Sequence, residues 1–351
     1  MINITKEYSI DYLCYSLDDK YIGAAASSLT GALWNGQVSI VDQASKSTTP
    51  NSINYSTHHG NTCIKWLTND SMIVSSDDAK LTLVKLDDIA KTLIDYTAAH
   101  SQSHSQPHTQ SDTTSTTSTT STTSKPKPPV QPRSTPSTNI LESLFTNAHD
   151  NIISSIDVMG DSKVVSASWD RSIKLWDVNA RTMLNQFNLH SSPVHCVVAN
   201  GPLIASSSGN RVVIADTRSK DPSTVTNHMV SNGIGSHSVC WRNGNVELLC
   251  AGDNGDVFIL DTRNMGTTEP SKRYKGHHQL MINQIKLNPH NSNQFATVSD
   301  DASLIIFDSS NDTIVKKVQQ TSCIRALDWN KSEANQLVIG TVGKQMSIIT
   351  I

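Results

Sequence analysis

The sequence predicts an all-β protein: a ring of seven four-stranded blades, a seven-bladed β-propeller, interrupted once by a disordered low-complexity insert. Three observations predict it. Outside one segment, the apolar runs are short, rich in β-branched residues and divided by Gly, Asn, Asp and Ser. A unit of roughly forty residues recurs seven times. A β-compatible segment at the start, Ile2–Glu7, is placed to complete a last blade that would otherwise lack its outer strand.

Composition sets the frame for these elements. The 351 residues carry 28 Lys and Arg against 31 Asp and Glu, a net charge of −3, so nucleic-acid binding by a basic face is not expected. No apolar run reaches the roughly 18 residues that span a bilayer, and the first residues show no basic-then-apolar leader. The cysteines, Cys14, Cys63, Cys196, Cys240, Cys250 and Cys323, form no C-x-x-C pair, which fits an intracellular protein. Cys14, Cys63, Cys196 and Cys250 adjoin apolar residues in strand-like runs and are read as small buried hydrophobes.

The insert runs from Ala98 to Thr138. Its 41 residues hold 21 Ser or Thr and 6 of the 12 prolines, too little apolar surface to offset ordering entropy. His100, His104 and His108 fall within it and are read as low-complexity drift, so no metal site is expected there. The chain thus divides into 1–97 (blades 1 and 2), the insert 98–138, and 139–351 (the rest of blade 2 and blades 3 to 7). Of the two segments that follow the third strand of blade 2, Thr92–Tyr96 and Ile140–Phe145, the second is preferred as its fourth strand, because it leads directly into His149.

The clearest repeat spans residues 148–187. It reads as strands Ile152–Val158, Lys163–Ala167, Ser172–Asp177 and Thr182–Phe187, with turns at Gly160-Asp161, Trp169-Asp170-Arg171 and Asn179-Ala180, and its third strand ends in Trp176-Asp177. This pattern resembles the WD-repeat family. Aligned on Trp176, the third-strand endings are Val41, Val84, Trp176, Ala215, Leu260, Phe307 and Ile351, spaced 43, 92, 39, 45, 47 and 44 residues apart; setting the insert aside reduces 92 to 51. Seven such units match a seven-bladed ring.

The family builds a buried His, Ser/Thr, Asp, Trp relay within a blade. Here the third blade matches with His149, Ser166 or Ser168 (Ser168 is taken as the member), Asp170 and Trp176. The sixth keeps Gly276-His277 and Asp301 but has Phe307, and the fourth keeps His190 but has Gly209 and Ala215. Such His-Asp-Ser sets inside a sheet are read as structural, not as hydrolase triads, and no G-x-S-x-G elbow or phosphate loop accompanies them, so no catalytic residue is assigned. Trp66, Trp241 and Trp329 each close an apolar first strand and are read as packing residues.

The first blade departs from the others. Between Tyr21–Ala26 and Gln37–Val41 lies a loop, Ser27–Gly36, a few residues longer than its counterparts and carrying Leu29, Leu33 and Trp34. It is either folded back on the blade or held out for a partner, and an exposed tryptophan is the residue type that dominates interface energy. The run Gly23–Gly36, G-A-A-A-S-S-L-T-G-A-L-W-N-G, resembles the methylosome WD-repeat subunit family (methylosome protein 50). Further likenesses include Ala148-His149-Asp150-Asn151-Ile152, Asp216-Thr217-Arg218 and Gly252-Asp253-Asn254-Gly255. The resemblance covers the chain apart from the insert, while Gly343-Lys344-Gln345 stands where the family has Gly-Trp-Asp.

The resemblance implies a non-catalytic subunit of a type II arginine methyltransferase complex, bound to protein arginine N-methyltransferase 5 and presenting Sm proteins and histones for symmetric dimethylation. It also implies Trp34 as the anchor in the methyltransferase's barrel domain, with Leu33 and Asn35 beside it and Leu29 in the same cluster. It further implies a four-plus-four hetero-oligomer, a cytoplasmic and nuclear location, and S-adenosylmethionine held by the partner, this chain needing no cofactor and touching neither nucleic acid nor membrane. The second function weighed is a substrate receptor of a cullin ubiquitin ligase, on Ala215-Asp216-Thr217-Arg218 and Leu260-Asp261-Thr262-Arg263, whose arginines otherwise simply cap turns.

Overall fold

The computed structural model describes residues 2–3, 8–30, 33–43, 52–86, 141–160, 162–219, 226–229, 235–264 and 270–351. The expected insert, 98–138, and the alternative strand Thr92–Tyr96 lie outside them. The described residues form seven four-stranded antiparallel sheets.

Strand β1 (Ile2–Asn3) comes first. Blade 1 then contains β2 (Ser9–Tyr15), β3 (Tyr21–Thr30), β4 (Leu33–Asp42) and β5 (Ser52–Thr57). Blade 2 has β6 (Asn61–Thr68), β7 (Ser71–Ser76), β8 (Leu81–Lys85) and β9 (Leu141–Phe145), so the segment beside His149 is its outer strand. Blade 3 has β10 (Ile153–Met159), β11 (Lys163–Ser168), β12 (Ile173–Asp177) and β13 (Thr182–Phe187). Blade 4 has β14 (Cys196–Asn200), β15 (Leu203–Ser208), β16 (Arg211–Asp216) and β17 (Thr226–Met229). Blade 5 has β18 (Ser236–Arg242), β19 (Glu247–Gly252), β20 (Val257–Asp261) and β21 (Lys272–Tyr274). Blade 6 has β22 (Ile282–Asn288), β23 (Asn291–Ser299), β24 (Ser303–Asp308) and β25 (Thr313–Gln319). Blade 7 has β26 (Ile324–Trp329), β27 (Gln336–Thr341) and β28 (Gln345–Thr350).

The ring closes as the repeat arithmetic predicts. β1 pairs antiparallel with β28, Ile2 opposite Met346 and Asn3 opposite Gln345, and supplies the fourth strand of blade 7. The expected clasp extends to Glu7, but residues 4–7 lie outside the described set. At the same seam β27 packs so closely on blade 1 that a β-carbon on Gly340 would collide with Ile10. Register also corrects one alignment. Trp176 faces Val164 in blade 3, and the residue in the same place in blade 7 is Ile349, opposite Leu337, two residues before Ile351.

The apolar side chains form slabs between neighbouring blades. One cluster joins Ile64, Trp66 and Met72 of blade 2 to Val38 and Ile40 of blade 1. Another joins Ile156, Val164 and Trp176 of blade 3 to Cys63 and Leu81 of blade 2, and a third closes the ring through Ile10 and Leu13 against Val338 and Met346. Central strands are therefore buried on both faces and read as continuous apolar runs, such as Leu248-Leu249-Cys250-Ala251. Outer strands pack on one side only, and β13 leaves Met183 and Leu184 exposed. No helix among the described residues is long and apolar enough to cross a membrane.

Candidate functional site

The segment read as a loop in blade 1 is a β-hairpin. β3 and β4 stay paired through Ser27–Gly36, Ser28–Asn35, Leu29–Trp34 and Thr30–Leu33, ten pairs in all against five or six between the corresponding strands of the other blades. The side chains of Leu29, Leu33 and Trp34 lie outside the described set; their backbone places Leu29 and Trp34 directly opposite one another. Asn35 is half-buried, and at the base Gly36 leaves no room for a β-carbon, which would collide with the His59 carbonyl oxygen. Glycine is therefore required where the hairpin crosses the entry to blade 2.

All second-to-third-strand turns emerge on one face, and the central channel opens there. Its mouth is lined by one residue from each first strand: Asp11, Thr62, Ser154, His195, His237, Asn283 and Arg325. In six blades this residue sits in a register shift, as Asp11 does between Ile10 and Tyr12, so it is left out of the ladder and turns toward the axis. His195 holds the same place in blade 4, where β14 begins one residue later. The residues tie blade to blade. Thr62 Oγ1 donates to the Ile153 carbonyl, Ser154 Oγ to the Val194 carbonyl at 2.6 Å, and Asn283 Nδ2 to the Ile324 carbonyl at 2.9 Å. Arg325 reaches Asp11 at 3.2 Å, and the His195 and His237 rings lie 4.6 Å apart between centroids. Burial pushes both imidazoles below their ordinary value, helped at His195 by the neighbouring His237 and opposed at His237 by Asp253 and Asp300. The sequence carries a signal for this collar, a polar residue straight after an apolar one at the start of the first strand in five of the seven blades, which strand alternation alone does not single out.

Collar included, the channel holds about 620 Å³. Lys65 pairs with Asp157 at 2.9 Å and Lys286 with Asp328 at 3.6 Å, and both ammonium groups sit 5.7 Å from the centre of the Tyr12 ring. Burial, the largest influence, would lower the Lys65 pKa; the Asp157 carboxylate with Tyr12 and Cys63 together outweigh it and the pKa is raised. The same aspartates accept backbone N–H bonds from the next blade, Ala199 to Asp157 at 2.8 Å and Tyr15 to Asp328 at 2.9 Å. Cys196 and Cys240 line this channel. Cys196 is only half-buried, a correction to its reading as a core hydrophobe, whereas Cys14, Cys63 and Cys250 are buried.

In blade 3 the relay is complete, with one member corrected. His149 Nδ1 lies 2.8 Å from Asp170, its Nε2 lies 2.7 Å from Ser166 Oγ, and the Trp176 indole N–H donates to Ser166 at 2.8 Å. Because the ionised Asp170 can only accept, the imidazole hydrogen sits on Nδ1 facing it, Nε2 accepts the Ser166 hydroxyl proton, and the indole N–H takes a lone pair of Ser166. Ser168, two residues on, instead donates to the Asn151 carbonyl at 3.0 Å and accepts the Asp170 N–H. Burial works against the Asp170 carboxylate, but the Ser172 hydroxyl and N–H and the Asp150 N–H hold it at about 2. Burial likewise pushes His149 below its ordinary value although Asp170 pulls the other way. Ser166 is fully buried within the sheet, so it cannot meet a substrate as a nucleophile.

Blade 6 repeats the arrangement with His278, not His277. His278 Nδ1 faces Asp301 at 3.1 Å and its Nε2 faces Thr297 Oγ1 at 2.8 Å, while His277 packs edge-on against Phe307. At the turn of blade 2, His59, Asp77 and Asp78 bring three ligand atoms together, but Asp78 is already paired with Lys80 and His59.

The three strand-closing tryptophans are buried, as expected, and do more than pack. Trp66 donates its indole N–H to the Cys14 carbonyl, Trp241 to that of Val198 and Trp329 to that of Lys286, each at 3.2 Å. Every acceptor belongs to the first strand of the preceding blade, so each indole hooks two blades together. Arg218 and Arg263 are exposed and each folds back on the aspartate of its own turn, Asp216 at 2.6 Å and Asp261 at 2.7 Å.

The fold and the relay define a class: a seven-bladed β-propeller carrying WD repeats. The family described as WD domain, G-beta repeat matches residues 141–177 and 268–308, which hold the aspartates that His149 and His278 meet. Among individual proteins, the chain is 25% identical over 213 residues to "Methylosome protein WDR77" of Xenopus laevis, covering 58% of this chain and 62% of that one. It is 32% identical over 91 residues to "Histone acetyltransferase type B subunit 2" of Kluyveromyces lactis, covering 26% and 22%. It is 32% identical over 158 residues to "Ribosome biogenesis protein WDR12 homolog" of Nematostella vectensis, covering 44% and 36%. The chain thus spans less than two thirds of the length of each of these relatives. WD-repeat propellers are in general protein-binding scaffolds, and that is the role this fold and its relatives support.

Proposed function

We propose that the chain is a non-catalytic adaptor that binds a type II arginine methyltransferase of the protein arginine N-methyltransferase 5 kind through the β3–β4 hairpin. Trp34 is the anchor, Leu33, Asn35 and Leu29 flank it, and Sm proteins and histones are the substrates presented, in cytoplasm and nucleus. The observation that carries this reading is the hairpin itself, ten residue pairs long, with Leu29 opposite Trp34 at its far end. A backbone ladder is a stiff mount, and tryptophan is among the residue types that dominate interface energy. The methylosome protein of Xenopus among the relatives, and the Ser-Ser-Leu-Thr-Gly-x-x-Trp run, point the same way. Catalysis and S-adenosylmethionine are assigned to the partner.

The test is affinity purification from the protein's own cells, wild type beside Trp34→Ala, with mass spectrometry of the retained proteins. Retention of a type II arginine methyltransferase by wild type, and at least tenfold less by Trp34→Ala at equal thermal stability, is the expected result. Absence of the methyltransferase from both samples overturns the reading. A cullin adaptor retained in its place, and lost on substitution of Arg218 and Arg263, transfers the assignment to the ligase receptor.

A further inference from the structure

Blade 4 keeps the histidine of the relay and lacks the carboxylate. Strand register aligns Ser206 with Ser166 and Arg211 with Ser172, because Ser206 faces Val213 where Ser166 faces Lys174. Between the flanking serine and that aligned residue blade 3 has Trp169, Asp170 and Arg171, whereas blade 4 has only Gly209 and Asn210. The shorter turn removes the aspartate and places an arginine where the relay has a serine.

What remains is a socket with two unpartnered buried nitrogens. His190 is buried, 9% exposed, and its Nε2 lies 2.8 Å from Ser206 Oγ, matching the 2.7 Å of His149 and Ser166. Among the described residues its Nδ1 is buried without a hydrogen-bond partner, and so is Nε of Arg211. Ser206 Oγ also lies 3.5 Å from the Val213 carbonyl, so the imidazole hydrogen can sit on either nitrogen, and a carboxylate at Nδ1 selects the tautomer in which Nδ1 donates and Nε2 accepts from Ser206. In blades 3 and 6 the acceptor at this place is a carboxylate oxygen, 2.8 Å from His149 and 3.1 Å from His278. Among the described residues no carboxylate acts on His190; the charged or titratable groups that do are Arg211 on β16 and His195 just before β14. The socket is reachable, because Gly209, Asn210 and Arg211 are half-exposed and a β-carbon on Gly209 would meet nothing within 4 Å.

We propose that blade 4 binds a carboxylate from outside the chain, held between His190 Nδ1–H and the Arg211 guanidinium in the place Asp170 fills in blade 3. An unpartnered buried donor is costly, so an incoming carboxylate oxygen gains two charge-assisted or buried hydrogen bonds at one point. The acceptor is either a free small carboxylate or an Asp or Glu side chain of a bound protein. The site sits on the same face as the β3–β4 hairpin, and it stands or falls independently of which partner that hairpin engages.

The experiment is a titration of the full chain, ¹⁵N-labelled at histidine, following the His190 ring nitrogens. The probes are acetate, acetyl-Gly-Asp-Gly amide, its Asn counterpart and inorganic phosphate. The expected result is a saturable His190 shift with acetate and with the Asp peptide, none with the Asn peptide, and at least tenfold weaker binding in Arg211→Gln. Saturation by acetate alone supports the site and assigns it to a free carboxylate; saturation by the Asp peptide assigns it to a protein side chain. If Arg211→Gln does not fold, His190→Gln, which can still meet Ser206, serves as the second variant, read by calorimetry of the same probes. No saturable response to either carboxylate, an undiminished response in the variant, or saturation by phosphate alone overturns the proposal.

Discussion

Blades 3 and 4 are neighbours with the same strand order, the same slab packing and the same histidine, yet one relay runs from Asp170 to Trp176 while the other stops at Ser206. Both blades form. The slabs and the hairpin register therefore build a blade, and the relay fixes something narrower: the turn between second and third strands and the connection that brings in the histidine. Blade 3 holds that corner with six hydrogen bonds to the Asp170 carboxylate and the Ser166 hydroxyl, whereas blade 4 leaves two buried nitrogens unpartnered among the described residues. The corner that is tight serves structure; the corner that is open is free to serve binding.

The comparison breaks most directly at Asp170. Asp170→Ala turns blade 3 into a blade 4 and strands His149 Nδ1–H with the Ser172 and Asp150 N–H groups; a loss of about 4 kcal/mol in urea unfolding is expected. A change below about 1 kcal/mol would mean the relay contributes nothing beyond the slabs.

The two blades should also titrate apart. Burial, with Arg211 and His195 adding to it, pushes His190 to about 4 from an ordinary 6.5. The unfolded chain then takes the proton first, so stability is full above pH 6.5 and falls toward pH 4, by about 3 kcal/mol at most. Asp170 sits at about 2 against an ordinary 3.8, so its contribution is full above pH 3.8 and falls toward pH 2. That second loss is about 2 kcal/mol. Unfolding curves across pH should show His190→Gln removing the upper step and Asp170→Asn removing the lower.

A sharper cut separates two serines on one strand face. Ser166→Ala strands both an indole N–H and an imidazole nitrogen and should cost about 2 kcal/mol, against about 1 for Ser168→Ala, which loses one carbonyl contact and one backbone N–H. The reverse order would return the relay to Ser168. The smallest effect is expected at the hooks: Trp329→Phe keeps the ring, loses the bond to Lys286 and should lower stability by about 1 kcal/mol by thermal melting.

Much of this was legible in the sequence, and the misses have physical causes. Spacing alone yields seven blades, and the surplus strand at the start finds its place against β28. Ser166 and Ser168 cannot be told apart by alternation, since residues two apart share a face; only the pairing of Val164 with Trp176 decides. His277 and His278 lie in a connection with no strand period to sort them. The Ser27–Gly36 segment does carry a hairpin signal, Ser-Ser-Leu-Thr and Leu-Trp-Asn-Gly around the central Gly31-Ala32, but its small and polar residues hide it among loops. The indole hooks leave no local trace because each acceptor lies in the preceding blade, and the collar is visible only once the register shifts are known.

Those hooks carry a consequence for how the ring breathes. They join blade 2 to 1, blade 5 to 4 and blade 7 to 6, and blade 3 has none. They reinforce three seams beyond the bonds of the collar and channel. Amide exchange should therefore find blades 1 and 2, 4 and 5, and 6 and 7 opening together more often than blade 3 opens with a neighbour, though Thr62 and Ser154 still tie blade 3 on both sides.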